Sequence, residues 1–209
     1  MKLIGMLDSP YVRRVAISMQ LLGLRFEHEP LSVFRNFDQF ARINPVVKAP
    51  TLVCDDGSVL MDSTLILTYA EALARPRTLM PTEPRELQHD LRLIGLSLAA
   101  VEKSVAIIYE RELRPPEKQH APWIERVTGQ MLAAYAALEA EVTRRPPAFD
   151  RAGIRQAGIT LAVNWHFTQQ MMGDLVPATR FPALAAAGAQ AERLPEFRAA
   201  PHGLGTVVA

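Results

Sequence analysis

Two hydrophobic rhythms follow one another along this chain. Up to Arg75, short apolar runs alternate with helical stretches; beyond Pro84, only steps of three and four remain. Lys2 to Leu7 is a short apolar run and predicts a strand. Asp8-Ser9-Pro10 ends it and starts a helix, because Ser9 is an N-cap residue type and Pro10 suits the first helical position. Val12, Val15, Ala16, Met19 and Leu22 then recur at helical spacing, and Gly23 fits the helix C-terminus. Leu24 to Glu29 alternates and reads as a second strand. Phe37, Phe40 and Ile43 mark a short helix before Asn44-Pro45. Thr51 to Cys54 and Ser58 to Met61 flank Asp55-Asp56-Gly57, a hairpin turn signal. Ser63 to Ala74 returns to helical spacing through Leu65, Ile66, Tyr69 and Leu73.

Pro76, Pro81 and Pro84 then interrupt the pattern, which predicts a linker. Glu86 to Leu113 is one long helical pattern, ended by Pro115-Pro116. Trp123, Val127, Met131, Tyr135, Leu138 and Val142 carry a second, ended by Pro146-Pro147. Ile154 to Met172 is apolar enough to be central, and Phe181 to Glu192 and Pro195 to Ala200 form two shorter helices. The order β-α-β-α-β-β-α followed by helices alone predicts a mixed layered domain and then a helical one. The expected division is residues 1–76, a linker over 77–84, and residues 85–209.

Composition removes several function classes. With 209 residues the chain holds one large domain or two small ones with real cores. A net charge of +1 sets up no strong field toward nucleic acid or an anionic membrane. No apolar run reaches the roughly 18 residues of a membrane span, and the N-terminus lacks the apolar core of a secretion signal. The single Cys54 excludes an intrachain disulfide and a CxxC pair, fits a reducing cytoplasm, and reads as a buried strand residue. The five histidines show no metal-ligand spacing, so no metal is expected. His166 reads as a satisfied core residue, and Arg13-Arg14 as two charges on a helix rather than a nucleic-acid patch.

Candidate chemistry gathers in Val47-Lys48-Ala49-Pro50-Thr51-Leu52-Val53 and in Met61-Asp62-Ser63. Pro50 lacks an N–H, so it must open a strand rather than occupy its middle. With a cis bond before it, Ala49 would turn its own N–H and C=O outward toward a peptide-like ligand. Asp62-Ser63 sets an acceptor and a donor at a helix N-terminus, where exposed N–H groups favour a carboxylate. Peptide backbone held at one segment and an amino-acid head group at the other describe a small peptide with a γ-linked glutamate end.

The order and spacing of Ser9-Pro10-Tyr11-Val12-Arg13, Lys48-Ala49-Pro50-Thr51-Leu52, Asp62-Ser63 and the linker near Pro81 resemble the cytosolic glutathione S-transferases, most of all the bacterial serine-type members. The resemblance covers nearly the whole chain. It implies the glutathione S-transferase fold: an α/β thioredoxin-like N-terminal domain and an all-α C-terminal domain. It implies glutathione as co-substrate, conjugated through its thiolate to a small hydrophobic electrophile. By the same resemblance Ser9 bonds the glutathione sulfur, Lys48 approaches the glycine carboxylate, Ala49 pairs with the cysteinyl backbone and Pro50 is cis. Asp62 and Ser63 hold the γ-glutamyl amine and carboxylate, with Asp62 standing where many relatives have Glu or Gln. Tyr11 and Val12 complete the glutathione contacts, and the Tyr11 hydroxyl or N–H is an alternative donor to the sulfur. Leu7, Phe34, Ile108, Tyr109 and Trp165 are the candidate walls of the electrophile pocket; each is also a good core residue, and for Trp165 the core reading comes first. A homodimer is implied, with Arg75, Arg77, Arg85 and Arg92 as possible polar contacts. One departure is Arg155-Gln156-Ala157-Gly158, where the family carries a capping box; its loss should cost about 0.5–2 kcal/mol. Glutathione-dependent peroxide reduction, dehalogenation, or a purely binding or regulatory module are the competing functions. Retention of Ser9, Lys48, Pro50, Asp62 and Ser63 argues against the last.

Overall fold

The structure, a computed structural model, describes residues 1–203. The chain begins β1 (Lys2–Ile4), α1 (Pro10–Leu21), β2 (Glu27–Glu29), α2 (Phe37–Ile43), β3 (Thr51–Val53), β4 (Val59–Met61) and α3 (Ser63–Leu73). It continues α4 (Pro84–Glu112), α5 (Ala121–Arg144), α6 (Gln156–Met172), α7 (Pro182–Ala191) and α8 (Pro195–Arg198). Two compact units result: Met1–Leu79 together with the segment from Leu194, and Met80–Arg193.

In the first unit the sheet order is β2-β1-β3-β4, with β1 parallel to β2 and antiparallel to β3, and β3 antiparallel to β4. Leu3 stands opposite both His28 and Leu52, and Leu52 opposite Leu60. Leu3, Ile4 and Leu52 are fully buried. The first strand stops at Ile4, three residues short of the apolar run, because the chain turns at Gly5 with φ +135°. A Cβ there would lie 2.6 Å from a Val12 methyl and 3.1 Å from the Ala49 Cβ. Only glycine lets the end of β1 come so close to both α1 and the loop before β3. The second strand also shrinks, to Glu27–Glu29, since the Leu24 N–H bonds back to the Met19 carbonyl at the end of α1.

Helix α1 is buried at ten of its twelve positions, Arg13 and Arg14 among them. Both arginines therefore lie in the interior, not on a solvated face. Arg13 Nε donates to the Ala200 carbonyl at 2.8 Å and Nη2 to the Phe197 carbonyl at 3.4 Å, with the guanidinium 5.7 Å from the Phe197 ring centroid. These contacts place α8 in the first unit, whereas the sequence pattern puts it at the end of the helical one.

The second unit is helical throughout. Helix α6 is buried at thirteen of seventeen positions, which explains why its sequence lacks a polar face. Its buried polar groups meet partners from α4 and α5. The Tyr135 hydroxyl is 2.5 Å from Thr168 Oγ1, Thr168 is 3.1 Å from Ser104 Oγ, and Asn164 Nδ2 donates to the Ser97 carbonyl at 3.0 Å. Burial pushes the Tyr135 phenol up to about 12. Trp165 packs between Tyr135 and Phe181, with ring centroids 5.7 and 6.0 Å away. It also meets α7 at Gly188, where a Cβ would come within 2.7 Å of the indole. His166 lies at the edge of this core, partly exposed, with Nδ1 3.3 Å from Glu192. Among the described residues no helix is long and apolar enough to cross a membrane, and no His, Cys, Asp and Glu cluster could hold a metal ion.

No side chain caps α6; Arg155 occupies the N-cap position with extended backbone. Its guanidinium instead donates to Glu86 at 2.9 Å and lies 3.7 Å from Asp90, while Arg145 bonds the same Glu86 oxygen. Hydrogen bonds from Arg145, then from Arg155, hold the Glu86 carboxyl down at about 2, against an ordinary value of 4.5. The folded value is depressed, so the stabilisation is present above about pH 4.5 and is lost as pH falls through about 2. The difference in unfolding free energy between the wild type and Glu86→Gln should be constant near neutral pH and shrink across that acid window. A difference that stays flat down to about pH 2 would contradict the assignment.

Candidate functional site

The N-terminus of α3 is built by Asp62 and backed by α1. Asp62 takes a left-handed backbone, φ +73°, and its Oδ1 accepts from the Thr64 N–H at 2.9 Å. Such a conformation is uncommon outside glycine and tolerated best by Asp and Asn. Its other carboxylate oxygen lies 3.7 Å from Lys48 Nζ, and both side chains are about half exposed. An exposed pair of this kind is worth about 0–1 kcal/mol, so ammonium and carboxylate both stay available to other charges. Ser63 opens α3 and is 4% exposed. Behind it Arg14 Nη1 donates to Ser63 Oγ at 3.1 Å and to Thr64 Oγ1 at 3.3 Å. Burial pushes the Arg14 guanidinium down to about 10, opposed by the negative charge of Asp62, so it remains a cation at neutral pH.

The loop between α2 and β3 is fixed by one buried amide. Asn44 Nδ2 donates to Thr51 Oγ1 at 2.8 Å, Thr51 Oγ1 donates to the Lys48 carbonyl at 2.7 Å, and Asn44 Oδ1 accepts from the Val46 N–H at 3.0 Å. Val47 is held at φ +51°, a conformation unfavourable for a β-branched residue that the latch overrides. The loop delivers Lys48 exposed, Ala49 half-buried and Pro50 buried, with a cis Ala49–Pro50 bond. The Ala49 Cβ and the Val12 side chain both reach the space above Gly5, which sets the loop against the start of α1.

At that start Ser9 is the N-cap, with Pro10 following. Its Oγ accepts from the Val12 N–H at 3.5 Å, the long limit of a hydrogen bond, so the cap is weak. Ser9 and Tyr11 are half-buried and Asp8 is buried.

This architecture has known counterparts. Residues 3–78 match the family described as glutathione S-transferase, N-terminal domain. A glutathione S-transferase from Methylobacterium radiotolerans, solved in complex with glutathione sulfonate, superposes with a TM-score of 0.87 over 98% of this chain and 96% of its own, at 24% identity. The chain has the glutathione S-transferase fold. A glutathione transferase family member from Pseudomonas fluorescens Pf-5, with bound S-(propanoic acid)-glutathione, is 28% identical with a TM-score of 0.79 over 96% of this chain and 98% of its own. In sequence, the uncharacterized GST-like protein YibF of Escherichia coli K12 is 28% identical over 119 residues, 57% of this chain and 58% of YibF. Across three such curated relatives the chain spans between 37% and 58% of their length.

Within the glutathione S-transferase fold, the sequence-derived residues fall into two sets. Lys48, Asp62 and Ser63 meet at one place, and Ala49 and Val12 meet at Gly5. Leu7 and Phe34 belong to the first unit, whereas Ile108, Tyr109 and Trp165 belong to the helical one. Ile108 and Trp165 are buried and Trp165 is engaged in aromatic packing, while Phe34 and Tyr109 are about 40% exposed. Sequence reasoning missed Arg14, Asn44 and Thr51. Arg14 carries no local signal, since its partners Ser63 and Thr64 lie 49 and 50 positions away.

Proposed function

We propose that the chain is a serine-type glutathione S-transferase, binding glutathione on its first unit and transferring the thiolate to small hydrophobic electrophiles. The observation that carries the reading is the meeting of Lys48, Asp62 and Ser63 at the α3 N-terminus, in the unit that also holds a cis Ala49–Pro50 bond. Asp62 offers a carboxylate to the γ-glutamyl ammonium, and the Ser63 hydroxyl with the first N–H groups of α3 offers donors to its carboxylate. The exposed Lys48 ammonium, released from Asp62 when the γ-glutamyl ammonium takes its place, swings to the glycine carboxylate, and the Ala49 backbone serves the cysteinyl unit. The glutathione-conjugate complex of the Pseudomonas fluorescens protein supports this reading. Cys54, buried and free, supports a reducing, cytoplasmic setting.

The chemistry needs no metal. A thiol titrates near 8.5, so bringing half of it to thiolate at neutral pH takes about 2 kcal/mol of preferential stabilisation. A hydrogen bond from the Ser9 O–H to the charged sulfur contributes about 1.5–3 kcal/mol, and the α1 N-terminus about 0.3–1 kcal/mol. Ser9 Oγ already accepts from the Val12 N–H, which leaves its proton to donate. The thiolate then forms the new S–C bond, and Ser9 stabilises charge without becoming a covalent nucleophile.

The exposed side of α3 supports a two-fold dimer. Leu65, Tyr69 and Leu73 stand four residues apart and are 64%, 36% and 45% exposed, and the neighbouring Val59 and Met61 of β4 are exposed as well. An apolar stripe of that kind fits a second copy of the chain. Light scattering at micromolar concentration should give twice the chain mass; the monomer mass would contradict the pairing.

Ser9→Ala should raise the pKa of the bound thiol by about one to two units, the loss of one charge-assisted hydrogen bond. Conjugation at neutral pH should slow about tenfold or more while glutathione affinity changes little, since most contacts go to the peptide ends. The check is thiolate absorbance against pH for both proteins saturated with glutathione. Superimposed titration curves would transfer the role to Tyr11 or to the helix N-terminus.

A further inference from the structure

Ser63 has a hydroxyl whose direction is decided from behind. A serine oxygen offers one O–H donor and two acceptor sites. Arg14 Nη1 donates to Ser63 Oγ at 3.1 Å and to Thr64 Oγ1 at 3.3 Å, and a guanidinium accepts nothing in return. Among the described residues the Ser63 proton has no acceptor and Arg14 Nε has no hydrogen-bond partner, although Arg14 is only 1% exposed. A buried cation with an unanswered donor is costly unless the site it serves brings a negative charge. The nearby carboxylate, Asp62, is already shared with Lys48 at 3.7 Å, so two cations face one anion there.

We propose that Arg14 is a positioning residue for the substrate's acidic end: by donating to the Ser63 oxygen it turns the Ser63 O–H outward toward the γ-glutamyl α-carboxylate, and its charge favours that carboxylate from beneath. This rests on the glutathione reading above and adds to it the residue that selects a peptide bearing an α-carboxylate over one without it. Arg14 touches neither the sulfur nor the electrophile in this account; it acts through Ser63. Lysine in its place would keep the charge but replace the rigid guanidinium fork with a flexible ammonium, so the function should be partly retained.

The test is calorimetry on the full chain with two ligands: glutathione, and 4-aminobutyryl-cysteinyl-glycine, which lacks only the α-carboxylate. Wild type should prefer glutathione by about tenfold or more. Arg14→Met should lose about ten- to a hundredfold in affinity for glutathione and under about threefold for the analogue, and Arg14→Lys should recover part of the loss. In turnover the KM for glutathione should rise while kcat at saturation stays within about twofold. Thermal melting reports whether each variant is folded. Should Arg14→Met not fold, Ser63→Ala carries the test, because it must erase the same preference between the two ligands. The proposal is overturned by a folded Arg14→Met that binds glutathione as tightly as wild type, by equal losses for both ligands, or by a Ser63→Ala protein that keeps the wild-type preference. Failure of wild type to bind glutathione would overturn the underlying reading itself, and the proposal with it, and is told apart by appearing before any variant is made.

Discussion

A guanidinium carried into a protein interior must find acceptors there, because an uncompensated buried charge costs several kcal/mol. Helix α1 carries two of them side by side, each 1% exposed. Their answers lie in different parts of the chain. Arg13 takes the carbonyls of Phe197 and Ala200, and Arg14 takes the hydroxyls of Ser63 and Thr64. Through these bonds one helix fixes both the terminal segment α8 and the first turn of α3 within the first unit. The rest of that unit follows: Gly5 admits Val12 and Ala49 to the same space, and the loop before β3 is thereby set against α1.

The same helix links packing to chemistry. Its N-cap is Ser9, proposed to donate to the glutathione sulfur, and one turn further on Arg14 supports the hydroxyl proposed to hold the γ-glutamyl end of the peptide. Placement of the donor for the thiolate and of the donor for the carboxylate therefore depends on one rigid element rather than on two loops. The second loop, from Asn44 to Pro50, gets its rigidity from a different source: the Asn44 amide and the Thr51 hydroxyl hold it, and hold Val47 in a conformation it would not adopt alone.

Features written locally were legible in the sequence. Ser9-Pro10 marks the start of α1, Asp55-Asp56-Gly57 the β3–β4 turn, and Asp62-Ser63 the start of α3, because caps and turns are chosen by residues within a few positions of one another. The long helices α4 and α5 were legible for a related reason, their periodicity being set along the chain itself, and α6 through its long apolar run. What could not be read was distant. Arg13 meets Ala200 across 187 positions and Arg14 meets Ser63 across 49, so each arginine looks like a surface charge until the fold closes. The same distance hid the place of α8, which follows the helical run in sequence yet belongs to the first unit. In the site itself Lys48, Asp62 and Ser63 stood out through residue type and spacing. The residues that hold them, Arg14, Asn44 and Thr51, did not, since a supporting residue reveals itself only through what it touches.

The central claim is that the first unit grips glutathione at the Ala49 backbone and at the first turn of α3. Amide hydrogen exchange followed with and without saturating glutathione, beside a calorimetric titration of the same sample, tests it most directly. The account predicts a saturable heat with one glutathione per chain and slowed exchange confined to the amides of residues 48–49 and 63–65. Absence of heat at millimolar glutathione, or protection that appears elsewhere and leaves those amides unchanged, would contradict it.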